Sequence, residues 1–428
     1  MRRTQLALLL ALTLATGFVA GALLAPSSPA HARTEAYTQL GVFSEVLAHV
    51  QRSYVHDVDE TALMRGAVRG LVGELDAHSA YLDPDAYRAL QDDNRNAYVG
   101  VGIEIQPGEF GVVIGQVFRG GPAHGAGLQP GDIIHRVDGE EVRDASLPEI
   151  VQRLRGERGT AVSLQVERDT GEHTELLPFD LVRDVVERQI VHASMPVDGF
   201  GHIRLVGFRQ RTSEQLRDAI AGLERDAGGS LRGLVLDLRG NTGGLLRESI
   251  RVADLFLDDG EIVSTRGRHQ APGDQWRARR TNTAYRAPLV VLVDDRSASA
   301  SEIVAGALQD HGRAVIMGQQ TYGKGSVQSL FDLGDGSGLK LTVSLYYTPR
   351  GRSIQQHGIS PDILVEAGEV EPVARTSRES RNQRSLANPD GDPPPPDSAS
   401  LDAVTDRPLR SALEQLHAFD VFQRAQAR

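Results

Sequence analysis

The chain contains no cysteine, and of its 46 basic side chains only two, Lys324 and Lys340, are lysines. The missing thiols exclude disulfide staples, a cysteine nucleophile and thiolate metal sites, while leaving the compartment undecided. The scarcity of lysine is the sharper signal. Arginine stays protonated in proteins, whereas a desolvated lysine gives up its proton, so one of the two is a candidate for a site where deprotonation matters. Basic charge in excess is also lacking: the formal net charge is −11, which argues against nucleic-acid binding through a basic surface. His78, His135, His202 and His357 show no metal-ligand spacing, and neither a metal nor another cofactor is expected.

At 428 residues with 40% hydrophobic content, the chain is long enough for two or three domains, each with its own core. Arg2 and Arg3 precede an apolar run from Leu6 to Ala25, and Ala30-His31-Ala32 supplies the small residues of a cleavage site. Residues 1–32 therefore read as an export signal. The run approaches the length of a bilayer span, so a retained anchor stays open beside cleavage. Either way the remainder lies outside the cytoplasmic membrane, which places it in the periplasm. Residues 33–97 carry apolar positions at helical spacing, such as Val42, Val46, Leu47 and Val50.

Residues 98–183 change to short strands punctuated by glycine, including Val99 to Ile105, Gly111 to Phe118, and the pairs Pro122-Ala123 and Gly131-Asp132. This segment resembles a PDZ domain of the circularly arranged type found in exported bacterial proteases. The resemblance implies that Tyr98, Val99, Gly100, Val101, Gly102 and Ile103 form the turn and strand that take a protein or peptide C-terminal tail, with Leu147 to Leu154 as the groove's other wall. Arg168 is a candidate relay or, as readily, a solvated strand charge.

Residues 184–368 alternate strands with helical stretches, an α/β arrangement in which function gathers beyond strand ends. Leu231 to Leu238 and Leu289 to Val293 are continuous apolar runs of the kind buried on both faces. Residues 369–402 form a polar, proline-bearing linker, and residues 403–428 an amphipathic helix with Leu409, Ala412, Leu413 and Leu416 on one face. A helix tethered in this way suggests a homo-oligomer contact through the terminal helices. The whole reads as an α/β and β multidomain protein: N-terminal helical region, PDZ domain, α/β domain, linker and closing helix.

Asp294 to Ile303 runs from a buried strand through Ser297, Ser299 and Ser301 into a helix, a place where a hydroxyl stands clear and helix N–H groups stabilise an oxyanion. The same serines also fit ordinary helix capping. Downstream, Gly323-Lys324-Gly325 sets one of the two lysines between glycines, leaving room for close approach of a substrate backbone. Gly318 to Lys324 lacks the Ser/Thr that a phosphate-binding loop needs after its lysine, and Ser337 to Lys340 lacks the companion motifs of penicillin-binding enzymes. His311 beside Asp310 lacks a Gly-x-Ser-x-Gly elbow.

Together with Asp237 to Gly244 and Tyr346 to Gln355, the stretch from Leu289 to Gln328 resembles the carboxyl-terminal processing proteases. The resemblance spans nearly all of residues 37–366. It implies Ser299 as nucleophile, Lys324 as general base, Gln328 orienting the lysine, and an oxyanion hole from the N–H groups of Gly244 and Ala300, with Gly243 adjacent. Thr242 stands where that family commonly has proline. The implied activity is serine endopeptidase action on protein C-terminal tails, with an envelope adaptor among the expected partners. The alternative is a non-enzymatic PDZ scaffold of the cell envelope.

Overall fold

The structure, a computed structural model, describes residues 29–426 apart from 109–110, 119, 144, 170–172, 269–272 and 371–400. The apolar run expected to be an export signal and most of the expected polar linker lie outside the described residues. Among the described residues no helix is long and apolar enough to cross a membrane.

The chain divides into two compact units, residues 1–75 and 76–428. In the first, helices Pro29–Ser53 and Glu60–Gly73 are joined by a short turn. The second helix starts where Asp59 accepts the N–H groups of Thr61 and Ala62. Leu40, Val42, Phe43, Val46, Leu63, Met64 and Leu71 of these helices are exposed.

The second unit opens with a strand, Ala80–Leu82, and a helix, Pro84–Arg95. That strand, in a region expected to be helical, pairs antiparallel with Gly338–Tyr347 more than 250 positions away. Three residues are too few to show an alternation, so the pairing has no period-2 signature. Ala97–Gly100 then pairs with Asp184–Glu187, so the chain enters and leaves the PDZ region side by side.

The PDZ region is an antiparallel sheet in the order Ile103–Gly108, Gly111–Val117, Ile133–Val137, Ala161–Asp169, Thr174–Val182. Alternate residues Val162, Leu164 and Val166 enter a core shared with Ile114, Ile134 and Leu128. Helix Leu147–Leu154 starts where Glu149 accepts both the N–H and the hydroxyl of Ser146, and it buries Ile150 and Leu154 in the same core. Arg168 grips the buried carboxylate of Asp132 with two nitrogens, each at 2.7 Å, and also donates to the Gly127 carbonyl. It is a brace inside the domain.

The α/β region is built on a six-stranded sheet: Val191–Val197, Phe200–Leu205, Gly233–Asp237, Leu289–Val293, Val315–Gly318, Ile363–Leu364. Its first pair is antiparallel and the rest are parallel. Leu234, Leu236, Val291 and Val293 face helices Thr212–Asp226, Leu246–Asp254 and Ala300–Asp310. Val235, Val290, Leu292 and Met317 face the other way and meet Leu409, Ala412, Leu413 and Leu416 of helix Arg407–Gln426. The apolar runs are continuous because both faces are covered. The closing helix is therefore a layer of its own domain, and the stripe expected to make an oligomer contact is buried within the chain. Asp420 pairs with Arg232, and Asp406 with Arg239, at its two ends. Beyond the stripe, Phe419, Val421 and Phe422 are exposed.

A second sheet joins Ala80–Leu82, Ser326–Asp332, Gly338–Tyr347, Glu261–Gly267 and Gln275–Arg277. The strand carrying Gln328 belongs to it.

Candidate active site

Strand Leu289–Val293 ends in Asp294, and a tight turn leads into helix Ala300–Asp310. Asp294 accepts from the N–H of Gly240, binding this turn to the loop after strand Gly233–Asp237, and gives its own N–H to Ser297 Oγ. Ser297 also donates to the Leu238 carbonyl, and Ser301 to that of Asn241. Two of the three serines are thus structural. Ser299 differs, with φ 56° and ψ −110° at the helix start and 9% exposure. Such a backbone costs about 1–3 kcal/mol in a non-glycine residue and persists only when its surroundings hold it.

What holds it is Glu302. Its side chain is fully buried and accepts four hydrogen bonds: from Ser299 N–H at 2.7 Å, Lys324 N–H at 2.9 Å, Gly323 N–H at 2.7 Å and the Thr321 hydroxyl at 2.6 Å. Burial pushes its carboxyl above the ordinary range despite these donors. The carboxylate joins the backbone at Ser299 to the loop carrying Lys324. Among the described residues no hydrogen bond links the Lys324 amine to the Ser299 hydroxyl; what the two residues share is the Glu302 carboxylate that receives both backbone N–H groups. The Ser-x-x-Glu spacing of a capping box was the available signal for Glu302.

Lys324 is half-buried. Desolvation lowers its pKa, and the charge of Lys340 lowers it further. Lys340, expected to be an ordinary strand residue, is therefore an electrostatic neighbour of the site. The flanking glycines are required by this chain's own packing: a Cβ on Gly325 would stand 2.2 Å from Gln355 N, and one on Gly323, at φ +89°, 3.2 Å from Gly358 N. Gln328 donates through Nε2 to Ser326 Oγ at 2.9 Å and Thr342 Oγ1 at 3.3 Å.

The loop 239–244 lies directly against the serine. A Cβ on Gly243 would come within 2.9 Å of Ser299 Cβ and 3.0 Å of Ala300 N, and one on Gly244 within 2.1 Å of the Phe208 carbonyl. Both sit at positive φ, so only glycine fits. Gly243 gives its N–H to Asn241 Oδ1 at 2.9 Å and its carbonyl to Phe208 N–H at 3.0 Å. Thr242, where the family commonly has proline, is exposed between the buried Asn241 and Gly243. His311 turns away to the Glu261 carbonyl, and Asp310 is taken by Arg352 and Arg350 N–H, so no histidine triad forms there.

A groove of about 520 Å³ is lined on one side by Ile103, Ile105, Val151 and Leu154 of the PDZ region and on the other by Asp93, Arg188, Val206 and Arg209. Of the residues expected to take a tail, Tyr98, Val101 and Ile103 line it; Val99, Gly100 and Gly102 do not. The guanidinium groups of Arg155 and Arg188 stand over the Tyr98 ring at 5.2 and 5.4 Å. Arg188 and Arg209 share the carboxylate of Asp93, and Arg209 also donates to the Gly243 carbonyl at 3.3 Å.

Residues 199–365 match the model of peptidase family S41, and residues 89–167 that of the PDZ domain. The chain is 39% identical over 357 residues to a carboxy-terminal-processing protease of Bartonella bacilliformis, covering 82% of each chain. It is 38% identical over 307 residues to a carboxyl-terminal-processing protease of Synechocystis, covering 70% of each. The chain belongs to the carboxy-terminal processing proteases. A photosystem II D1 C-terminal processing protease of known structure shares 32% identity, covering 76% of this chain and 86% of its own, with a TM-score of 0.45. As a carboxy-terminal processing protease, the chain is a serine peptidase with a PDZ domain.

Proposed function

We propose that this chain is an exported endopeptidase that takes protein C-terminal tails in its PDZ groove and cleaves them with Ser299 as nucleophile and Lys324 as general base. The observation that carries this reading is the Glu302 carboxylate, whose four donors include the backbone of both residues. A neutral Lys324 takes the proton of Ser299 as the hydroxyl attacks the scissile carbonyl. The developing oxyanion is met by the N–H groups of Gly244 and Ala300, since that of Gly243 is committed to Asn241. Lys324 then gives its proton to the leaving amine, and water releases the acyl group by the same route in reverse.

The lowered pKa of Lys324 supports the role of base. Burial of the amine and the like charge of Lys340 both act in the direction that a neutral base requires. A tail in the groove lies near Arg188, and the path through Asp93 and Arg209 to the Gly243 carbonyl supports coupling of tail binding to the oxyanion loop. Export rests on the sequence from Arg2 to Ala32.

Ser299→Ala is expected to abolish cleavage of fluorescein-casein while leaving tail-peptide binding intact, and Lys324→Arg to abolish cleavage although it keeps the charge. Full activity in either variant would overturn the dyad. The Ser299→Ala protein, used as bait in envelope extract, would also retain substrates or an adaptor.

A further inference from the structure

The turn Asp76–Ser79 sits where one edge of strand Gly338–Tyr347 passes from pairing with Ala80–Leu82 to pairing with Glu261–Gly267. In that gap Thr342 N–H donates to Ser79 Oγ at 3.1 Å. Asp76 Oδ1 accepts the N–H groups of His78 and Ser79 at 2.7 and 2.8 Å and the Thr342 hydroxyl at 3.2 Å; Oδ2 accepts the Ser79 hydroxyl at 2.9 Å. Desolvation pushes the Asp76 carboxyl up, but these hydrogen bonds outweigh it and hold the group below its ordinary range. Asp76 is thus an acceptor only.

That fixes the polarity of everything beyond it. A hydroxyl carries one proton, and the Thr342 proton goes to Asp76, so Thr342 Oγ1 faces Gln328 as an acceptor. The Gln328 atom meeting it must then be the amide nitrogen, which also donates to Ser326. The amide oxygen is left at the other end. Among the described residues neither Gln328 Oε1 nor the Lys324 amine has a hydrogen-bond partner. In a reversed amide the end turned away from Thr342 would carry N–H, a donor that opposes a lysine's charged form and occupies the lone pair of its neutral form.

We infer that Asp76 and Thr342 are positioning residues for the catalytic base: their directed hydrogen bonds keep the carbonyl end of the Gln328 amide available to Lys324. The inference rests on the proposed dyad and assigns a role to the segment before the PDZ domain. The amine then donates to Gln328 Oε1 and keeps its lone pair for the Ser299 proton.

The test is turnover of fluorescein-casein by the full chain carrying Thr342→Val, Thr342→Ser, Asp76→Ala, Gln328→Leu, or Gln328→Leu combined with each of the first and third. Thr342→Val keeps the shape of the strand residue and removes its hydroxyl. It is expected to lower kcat about tenfold or more with KM unchanged, and Thr342→Ser to restore turnover. Asp76→Ala and Gln328→Leu should each reproduce the loss, and in the Gln328→Leu background neither Thr342→Val nor Asp76→Ala should lower kcat further. Thermal melts of each variant identify any loss due to unfolding. Unchanged kcat in folded Thr342→Val, or losses that add to that of Gln328→Leu, would overturn the inference. Ser299→Ala and Lys324→Ala run in parallel keep the two readings apart. If these stay active the dyad itself fails, whereas if they are dead and Thr342→Val is normal only the positioning role fails.

Discussion

The backbone N–H groups of Ser299 and Lys324 meet on the same oxygen of Glu302, at 2.7 and 2.9 Å. Two loops separated by a helix and a strand are thereby registered by one buried carboxylate. Replacing it with an amide sets an NH2 group against donors. Glu302→Gln is expected to lower kcat on casein about 100-fold, the scale of a 1 Å misplacement, while KM changes little. A stopped-flow acylation rate equal to that of the parent would refute this.

Lys340 acts on Lys324 through charge. A base works in its neutral form, so kcat/KM rises as pH passes upward through the pKa of Lys324. Since Lys340 lowers that pKa, Lys340→Gln should move the rising limb to higher pH, and Lys340→Arg should leave it in place. The pH–rate profiles of the two variants check both directions.

Asp237 ends the strand before loop 239–244. Burial opposes its ionisation, but hydrogen bonds from His202 and Arg239, together with the charge of Arg239, hold its carboxyl far below the ordinary range. A depressed carboxyl pKa contributes stability that is present above the unfolded value, about 3.9, and lost as pH falls through and below it. Asp237→Asn should therefore flatten the fall of Tm below about pH 4, at the cost of a lower Tm at neutrality. A parent-like acid limb in the variant would exclude this origin.

Leu413 is 1% exposed against Val235, Leu292 and Met317. Leu413→Ala should cost about 2–5 kcal/mol by urea unfolding. Removing residues from 403 onward should yield aggregated protein, not a smaller soluble species; an active, well-sedimenting truncation would contradict the packing described above.

The sequence made the strands and the reactive residues legible where the signal was local. The glycines of 240–244 and the small residues around Ser299 mark positions that a Cβ or a bulkier side chain would close, and the strand runs carry their burial in composition. The contribution of Asp76 and Thr342 was not legible, because they meet through a strand pairing across more than 250 positions. The cover supplied by Leu409 to Leu416 was hidden for a similar reason: an amphipathic stripe states that it is covered, and the linker before it conceals by what. Arg209 gave no signal either, since an arginine at a loop says nothing of the carbonyl it will reach.

The placement of helix Arg407–Gln426 also constrains when the fold can close. Strand Phe200–Leu205 is made long before the residues that shield Phe200, and so are strands Gly233–Asp237 and Leu289–Val293. Any nascent chain that has not yet delivered Leu416 carries the serine, the lysine and their loops on a sheet with one bare apolar face. Such intermediates bind other apolar surfaces instead of settling. The sheet that carries both loops is covered on its second face only once the helix Arg407–Gln426 has docked.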